Sequence, residues 1–368
     1  MTAAPPRRRS PGRLALERLS RDRGAMAALA VLAALALACL IGPWLTGHPP
    51  ERTYPDLRQL PPGLAAQPDA AHLRPALDRL AFRIRAEVAE ASRTGGSLHL
   101  VLTARTPIEE RGLVYLPRSD LFGEARVVAR DPDGRRLTLA VPVRRLSFPL
   151  GTDVHGRDLL SRSLVAGRVS LLIGLTATLV ALLVGVAYGA VSGFAGGRVD
   201  AAMMRVVDIL YALPFVFFVI VLVVFFRAGL ALVLIAIGAV EWLDMARIVR
   251  AQTLSLRRRD FVRAAEALGL SAAAILARHV VPNTLGPVTV AATLLVPRVI
   301  LLESFLSFLG LGVQEPETSW GVLIAEGARS LESAPHMLAG PAAFLVATLV
   351  ALNVLGDGLA DALDPRAD

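Results

Sequence analysis

The chain has 368 residues, 54% of them hydrophobic and 19% charged, with a formal net charge of +8; its mean hydropathy is +0.55. This is too apolar for a soluble protein and suits several membrane-spanning helices. Every basic residue is arginine, which excludes a P-loop and a Schiff-base lysine. The six histidines are scattered with no H-E-x-x-H, and the single cysteine, Cys39, allows neither a disulfide framework nor CxxC chemistry.

Residues 1–24 are a basic tail, with Arg7, Arg8, Arg9, Arg13, Arg18, Arg21 and Arg23 against Glu17 and Asp22. Arginine beside an apolar run predicts a cytoplasmic N-terminus and attraction to anionic lipid rather than a nucleic-acid arm. Residues 25–45 follow as a first transmembrane helix, read as a retained anchor because it is long and lacks a small-residue cleavage pattern. Residues 46–148 read as a small α+β region outside the membrane. Ala71 to Ala91 is predicted helical, with Leu77, Leu80, Ile84 and Val88 on one stripe and Phe82 off it. After Gly95 and Gly96, LHLVLT and ARVVARDPDGRRLTLAVPV read as strands, with a hairpin turn at Asp131 to Gly134.

Residues 149–368 hold the remaining spans. They open on GTDVHGRD, whose Asp153, His155 and Asp158 have the chemistry of metal ligands, but whose glycines suit turns and whose Asp158 suits a helix cap. The cap-and-turn reading is preferred, and no metal or other cofactor is expected. Apolar stretches then run from about Val169 to Ala195, Met203 to Phe226, Gly229 to Arg250, Thr284 to Gly312 and Met337 to Gly356. With the first, these make six predicted spans of roughly 20 residues. Gly174, Gly185 and Gly189 suit close helix approach, and Pro214, Pro297 and Pro341 can kink their helices. Ionisable residues at membrane depth cost about 2.5 to 3.5 kcal/mol each unless paired or hydrated. Glu241, Arg298 and Glu303 are therefore expected to face a water-lined path or, with Asp244, to form pairs between helices.

Alternation from a cytoplasmic N-terminus places the loop after the fourth span inside. The loop from Val313 to His336, with Glu315, Glu317, Glu326 and Glu332 against Arg329, falls outside, and the C-terminus returns to the cytoplasm. The inner loop is a polar helical hairpin, DFVRAAEALGLSAAAILARHVVPN, preceded by Arg247, Arg250, Arg257, Arg258 and Arg259. Asp260 suits an N-cap, Gly269 a left-handed stop, Ser271 the next N-cap, and Pro282 an end.

Loop 257–283 resembles the "EAA" coupling loop of binding-protein-dependent ABC importer permeases. The match lies at Ala264, Ala265, Gly269, His279 and Pro282, with Asn283 following as in the dipeptide and oligopeptide branch. The family's glutamate falls on Arg263, and an acid appears at Glu266, on the same helix face. Matches to the peptide and nickel branch extend through Gly151 to Asp158, Ser161 and Arg162, then Asp208 to Pro214 and Glu303 to Gly312. They continue at Pro316, Ser319, Trp320 and Gly321, and close on Asn353, Gly356, Asp357, Asp361, Asp364, Pro365 and Arg366. The chain thus resembles the C-type subunit of that family. The resemblance implies an all-α polytopic protein of the bacterial inner membrane, with the six-helix type I ABC importer permease fold and 46–148 as an inserted extracytoplasmic α+β domain. It implies no catalysis by this chain. The loop, with Asp260, Arg263, Ala264, Ala265, Glu266, Gly269, His279, Pro282 and Asn283, would dock on separate ATPase subunits. A homologous B-type permease and a substrate-binding protein would complete the importer, and the inserted domain would act as a spacer or touch one of them. The cargo would be a di- or oligopeptide, for which a path bearing both charge signs is suited, or alternatively a nickel or metal chelate. A membrane-anchored sensor is the distant alternative.

Overall fold

The computed structural model describes residues 11–226 and 229–363; Arg7 to Arg9 and the closing Asp364, Pro365 and Arg366 lie outside them. Helices α1 (Pro11–Leu19) and α2 (Arg23–Leu45) precede α3 (Ala70–Arg83) and the short α4 (Tyr115–Arg118). A helical series follows: α5 (Leu159–Ala195), α6 (Gly197–Ala212), α7 (Phe215–Phe225), α8 (Leu230–Arg257), α9 (Asp260–Ala267), α10 (Ala272–Ile275), α11 (Val281–Phe308), α12 (Trp320–Arg329) and α13 (His336–Leu363). The strands are β1 (Gly63–Gln67), β2 (Glu87–Thr94), β3 (Ser97–Thr103), β4 (Arg126–Arg130), β5 (Arg136–Pro142) and β6 (Leu146–Phe148). The chain divides into two compact units: the described residues of Met1–Leu45, Ser163–Arg329 and Pro341–Asp368, and those of Thr46–Arg162 with Ser330–Gly340.

The first unit is helical. Arg23–Leu45, Leu159–Ala195, Ala272–Phe308 and His336–Leu363 are each long and apolar enough to cross a membrane. Their surfaces are apolar too: on α2 only Ala25, Ala28 and Cys39 are buried, while Leu37, Leu40, Trp44 and Leu45 are exposed. A helix apolar on all sides and uncovered by protein needs lipid as its solvent. Met203 to Phe226, expected as one span, is two helices meeting at 78°. The break falls at Leu213 and Pro214, where proline has no N–H to donate and holds the residue before it extended. Pro297 and Pro341, by contrast, lie inside continuous helices. Helix α8 is 28 residues long, but Glu241, Asp244, Arg247 and Arg250 make it more polar than those four apolar helices. At Gly189 the backbones of α5 and α8 come so close that a side chain would run into the carbonyl of Ala246.

The second unit is α+β. Its main sheet is antiparallel in the order β2-β3-β5-β4, and β1 pairs with β6. Alternation along two neighbouring strands builds the core: Leu98, Leu100 and Leu102 stand opposite Val141, Leu139 and Leu137, all 3% exposed or less. Leu73, Leu77 and Leu80 of α3 belong to the same cluster. The hairpin turn at Asp131 closes as expected, with Gly134 N donating to Asp131 O over 2.8 Å.

The helix predicted to reach Ala91 stops at Arg83, and Val88 joins β2 opposite Leu102. Ala86 N–H donates to Ala81 O and Arg85 N–H to Phe82 O around a left-handed Arg85 at φ 56°. This is a Schellman closure with arginine where glycine usually stands. The unit also takes in GTDVHGRD. There Asp153, fully buried, accepts from the N–H groups of His155 and Arg157, from Arg157 Nε at 2.7 Å and from a terminal nitrogen of Arg162 at 2.6 Å. That carboxylate is bonded to the guanidinium groups of Arg157 and Arg162. Asp158 accepts from Ser161 N at 2.9 Å as the cap of α5, and burial raises its carboxyl pKa above the usual 3.8.

Candidate coupling hairpin and membrane cavity

The hairpin consists of α9, a turn and α10. Helix α9 begins one residue earlier than predicted: Arg259 occupies the cap position without a side-chain bond, and Asp260 lies in the first turn, where its charge complements the helix dipole. Gly269, at φ 76°, ends the helix: its N–H donates to Glu266 O at 2.9 Å, and Leu270 N–H donates to Ala265 O. Ser271 caps α10 by accepting from Ala274 N at 3.3 Å. Pro282 does not end the helical run as expected, since Ala272–Phe308 is continuous. A π-helical turn at Leu276–Val280 lies directly upstream. This wider turn shifts the carbonyls that a proline ring would meet and for which it has no donor, so the run passes the proline unbroken.

Val262, Ala265, Ile275 and Val280 form the hairpin's own core, with Phe194, Leu256 and Leu270 packed against it. The opposite face is open: Leu268 is 80% exposed and Phe261 42%, and Arg263, Ala264, Glu266, Gly269, Pro282 and Asn283 are exposed beside them. His279 is half-buried, and its carbonyl accepts from the Asn283 side chain at 2.6 Å.

Three of the five arginines before the hairpin are anchored. Arg250 makes a forked pair with Asp200, at 2.5 and 2.6 Å, and Asp200 also accepts from Ser192 Oγ. Arg247 pairs with Asp208 at 2.9 Å and lies over the Tyr211 ring. Arg257 donates to Ala195 O and lies over Phe194. Arg258 and Arg259 are exposed.

Deeper in the same unit lies a cavity of about 640 Å³, lined by Leu210, Tyr211, Leu213 and Phe215, by Val240 and Glu241 of α8, and by Arg298, Leu301, Leu302 and Phe305 of α11. Arg298 donates to Asp244 at 2.7 Å and stands 3.7 Å from Glu241. Two of the three expected path residues are thus brought together; the third is not. Glu303 is fully buried and is not part of the cavity wall. It accepts from Ser307 Oγ at 2.7 Å and Ser319 Oγ at 2.6 Å, tying the segment that leads into α12 back to α11. Trp320, next in sequence and also fully buried, donates from its ring to Ser163 O and from its backbone to Ser170 Oγ of α5.

Residues 185–368 match the family model described as binding-protein-dependent transport system inner membrane component. The chain belongs to this family. Residues 10–62 match the N-terminal TM domain of oligopeptide transport permease C. The oligopeptide transport system permease protein OppC of Escherichia coli (strain K12) is 58% identical over 216 residues, 59% of this chain and 72% of the relative. The OppC of Haemophilus influenzae is 50% identical over 236 residues, 64% and 76% of the two chains. The dipeptide transport system permease protein DppC of Bacillus subtilis (strain 168) is 45% identical over 217 residues, 59% and 68%.

The permease family expected from the hairpin spacing is therefore the family found, and the protein is a multi-pass membrane protein of the inner-membrane permease class. Both the hairpin and the cavity lie inside the match to the permease domain; the main sheet of the second unit lies in neither matched segment. Sequence reasoning missed Asp200 and Ser192. Their only signal is an acid and a hydroxyl near the ends of two apolar helices, and the partner Arg250 lies 50 residues on.

Proposed function

We propose that this chain forms half of the membrane path of a binding-protein-dependent ABC importer for di- and oligopeptides. What carries the cargo class is the likeness to permeases whose names specify oligopeptide and dipeptide transport. The path has six crossings: α2, α5, the bent pair α6–α7, α8, α11 and α13. Helix α8 is counted despite its charges because each is paired: Glu241 and Asp244 with Arg298, Arg247 with Asp208, and Arg250 with Asp200. Arginine bias supports a cytoplasmic N-terminus, hairpin and C-terminus, with residues 46–148 on the outer side.

Loop 257–283 is the coupling site for separate ATPase subunits. Its own small core makes it rigid, and Leu268 and Phe261 offer apolar surface to a groove. ATP binding would bias the two permease halves between inward- and outward-facing packings, a substrate-binding protein would deliver the peptide, and Glu241 and Arg298 would face it in transit. A homologous B-type permease supplies the other half.

The test is reconstitution of the chain with its partner permease, ATPases and binding protein in liposomes. ATP-dependent uptake of a labelled tripeptide is expected, and Leu268→Glu should release the ATPases while the helices stay folded. ATPase association and activity unchanged by Leu268→Glu would sink the coupling role. Uptake of a nickel chelate instead of peptide would change the cargo and leave the mechanism.

A further inference from the structure

Around Arg298 the charges do not balance: Glu241 and Asp244 both face this one guanidinium, which donates to Asp244 at 2.7 Å, while Arg247 is paired with Asp208 at 2.9 Å. Glu241 is the carboxylate left over. It lines the cavity yet is only 3% exposed, and its Oε2 accepts no hydrogen bond among the described residues. The nearest guanidinium nitrogen, Arg298 Nε, is 3.7 Å away, beyond hydrogen-bond reach. A buried carboxylate with an unspent acceptor is costly unless a donor arrives, and a cationic donor serves it best.

We infer that Glu241 receives an ammonium group of the cargo, either the α-ammonium of a peptide or that of a lysine side chain. Arrival of one cation brings the cluster to neutrality. The remaining wall, with Phe215, Leu301 and Phe305, is apolar and holds side chains without reading them. At about 640 Å³ the cavity falls within the roughly 300 to 1,000 Å³ of small-ligand pockets, the size of a short peptide. The inference rests on the peptide-permease reading above and adds which end or side chain of the peptide is recognised.

The complete transporter in liposomes tests it, with uptake compared between wild type and Glu241→Gln. Three peptides are used: trialanine, N-acetyl-trialanine and N-acetyl-Ala-Lys-Ala, each saturating the binding protein. Taking the ratio of variant to wild type for each peptide cancels the binding protein's own preference. Trialanine uptake should fall about tenfold, as for loss of a charged hydrogen bond, and N-acetyl-trialanine should stay within about twofold. A fall in trialanine assigns the α-ammonium, and a fall in N-acetyl-Ala-Lys-Ala alone assigns the side-chain ammonium. Asp244→Asn, which frees Arg298 to neutralise Glu241, should reproduce the selective loss if Glu241→Gln fails to fold. Equal ratios for the peptides with and without an ammonium group, whether all fall or none does, would overturn the inference and leave Glu241 a fixed ion-pair partner. A wild type that carries no peptide would overturn the peptide reading instead.

Discussion

Gly269 offers the sharpest test of the hairpin. Its φ of 76° lies in the left-handed region, and a Cβ built there would meet nothing within 4 Å. Steric conflict with neighbours is therefore absent, and the whole effect of Gly269→Ala is backbone strain, about 1 to 2 kcal/mol for an L-residue. The strain opposes the turn closed by Gly269 N to Glu266 O and Leu270 N to Ala265 O. If the ATPase binds the hairpin only in this conformation, its apparent affinity falls by the fraction of hairpins displaced from it, up to a factor of about 5 to 30. Gly269→Asn, tolerated in this region, should recover most of the loss. The assay is titration of the purified permease pair with its ATPases, reading both complex formation and ATP hydrolysis, with circular dichroism to show intact helices. Alanine and asparagine behaving alike, or alanine binding as wild type does, would refute the reasoning.

Other outcomes follow from the same structure. Leu100, fully buried opposite Leu139, should cost about 2 to 5 kcal/mol when cut to alanine, seen as lost hydrogen-exchange protection in β3 and β5. Burial raises the Asp158 pKa above its ordinary 3.8, so between these values the native state binds more protons than the unfolded one. Stability contributed by this group is then present at low pH and lost as pH rises through the raised pKa. Asp158→Asn keeps an acceptor for Ser161 N–H and should flatten the fall in melting temperature that the wild type shows as pH rises above the ordinary carboxylate pKa. Gly189→Val forces a side chain against the Ala246 carbonyl and should lower the melting temperature of the detergent-solubilised protein far more than Gly286→Val, where nothing lies within 4 Å.

What the sequence made legible were features written in local pattern. The apolar runs of α2, α5, α11 and α13 needed only length and composition, and Gly269 and Ser271 punctuate the hairpin through backbone demands that few other residues meet. The strands β3 and β5 were legible because leucine alternates there against polar residues. The misreadings fall where no local pattern announces the structure. Arg85 closes α3 in a conformation advertised by glycine, so the stripe through Ile84 and Val88 seemed to continue. Pro282 looked like a stop, and the π turn before it made room for the helix. Glu303 looked like a path residue because it is an acid in an apolar run, and the serines that donate to its Oε1, four and 16 residues away, are not a periodic signal. Likewise, nothing local joins Asp200 to Arg250.

The hairpin and the cavity are connected by the chain itself. Helix α8 carries Glu241 and Asp244 and ends at Arg257, immediately before the hairpin; the run resumed at Ala272 passes through α11, which carries Arg298. Along α8, Asp244 is 13 residues from Arg257, about 20 Å, and along α11, Val281 is 17 residues from Arg298, about 26 Å. The charged pair Arg298 with Asp244 thus joins the two rods whose other ends hold the hairpin. The ends are not equivalent. The α8 side is pinned by the forked Arg250–Asp200 pair and the close approach at Gly189, whereas the α11 side begins with a π turn, a local irregularity in the helix. A push on the hairpin under the proposed role would therefore move α11 more readily than α8. Differential motion of these two helices is what would separate Arg298 from Asp244 and change the charge that Glu241 meets.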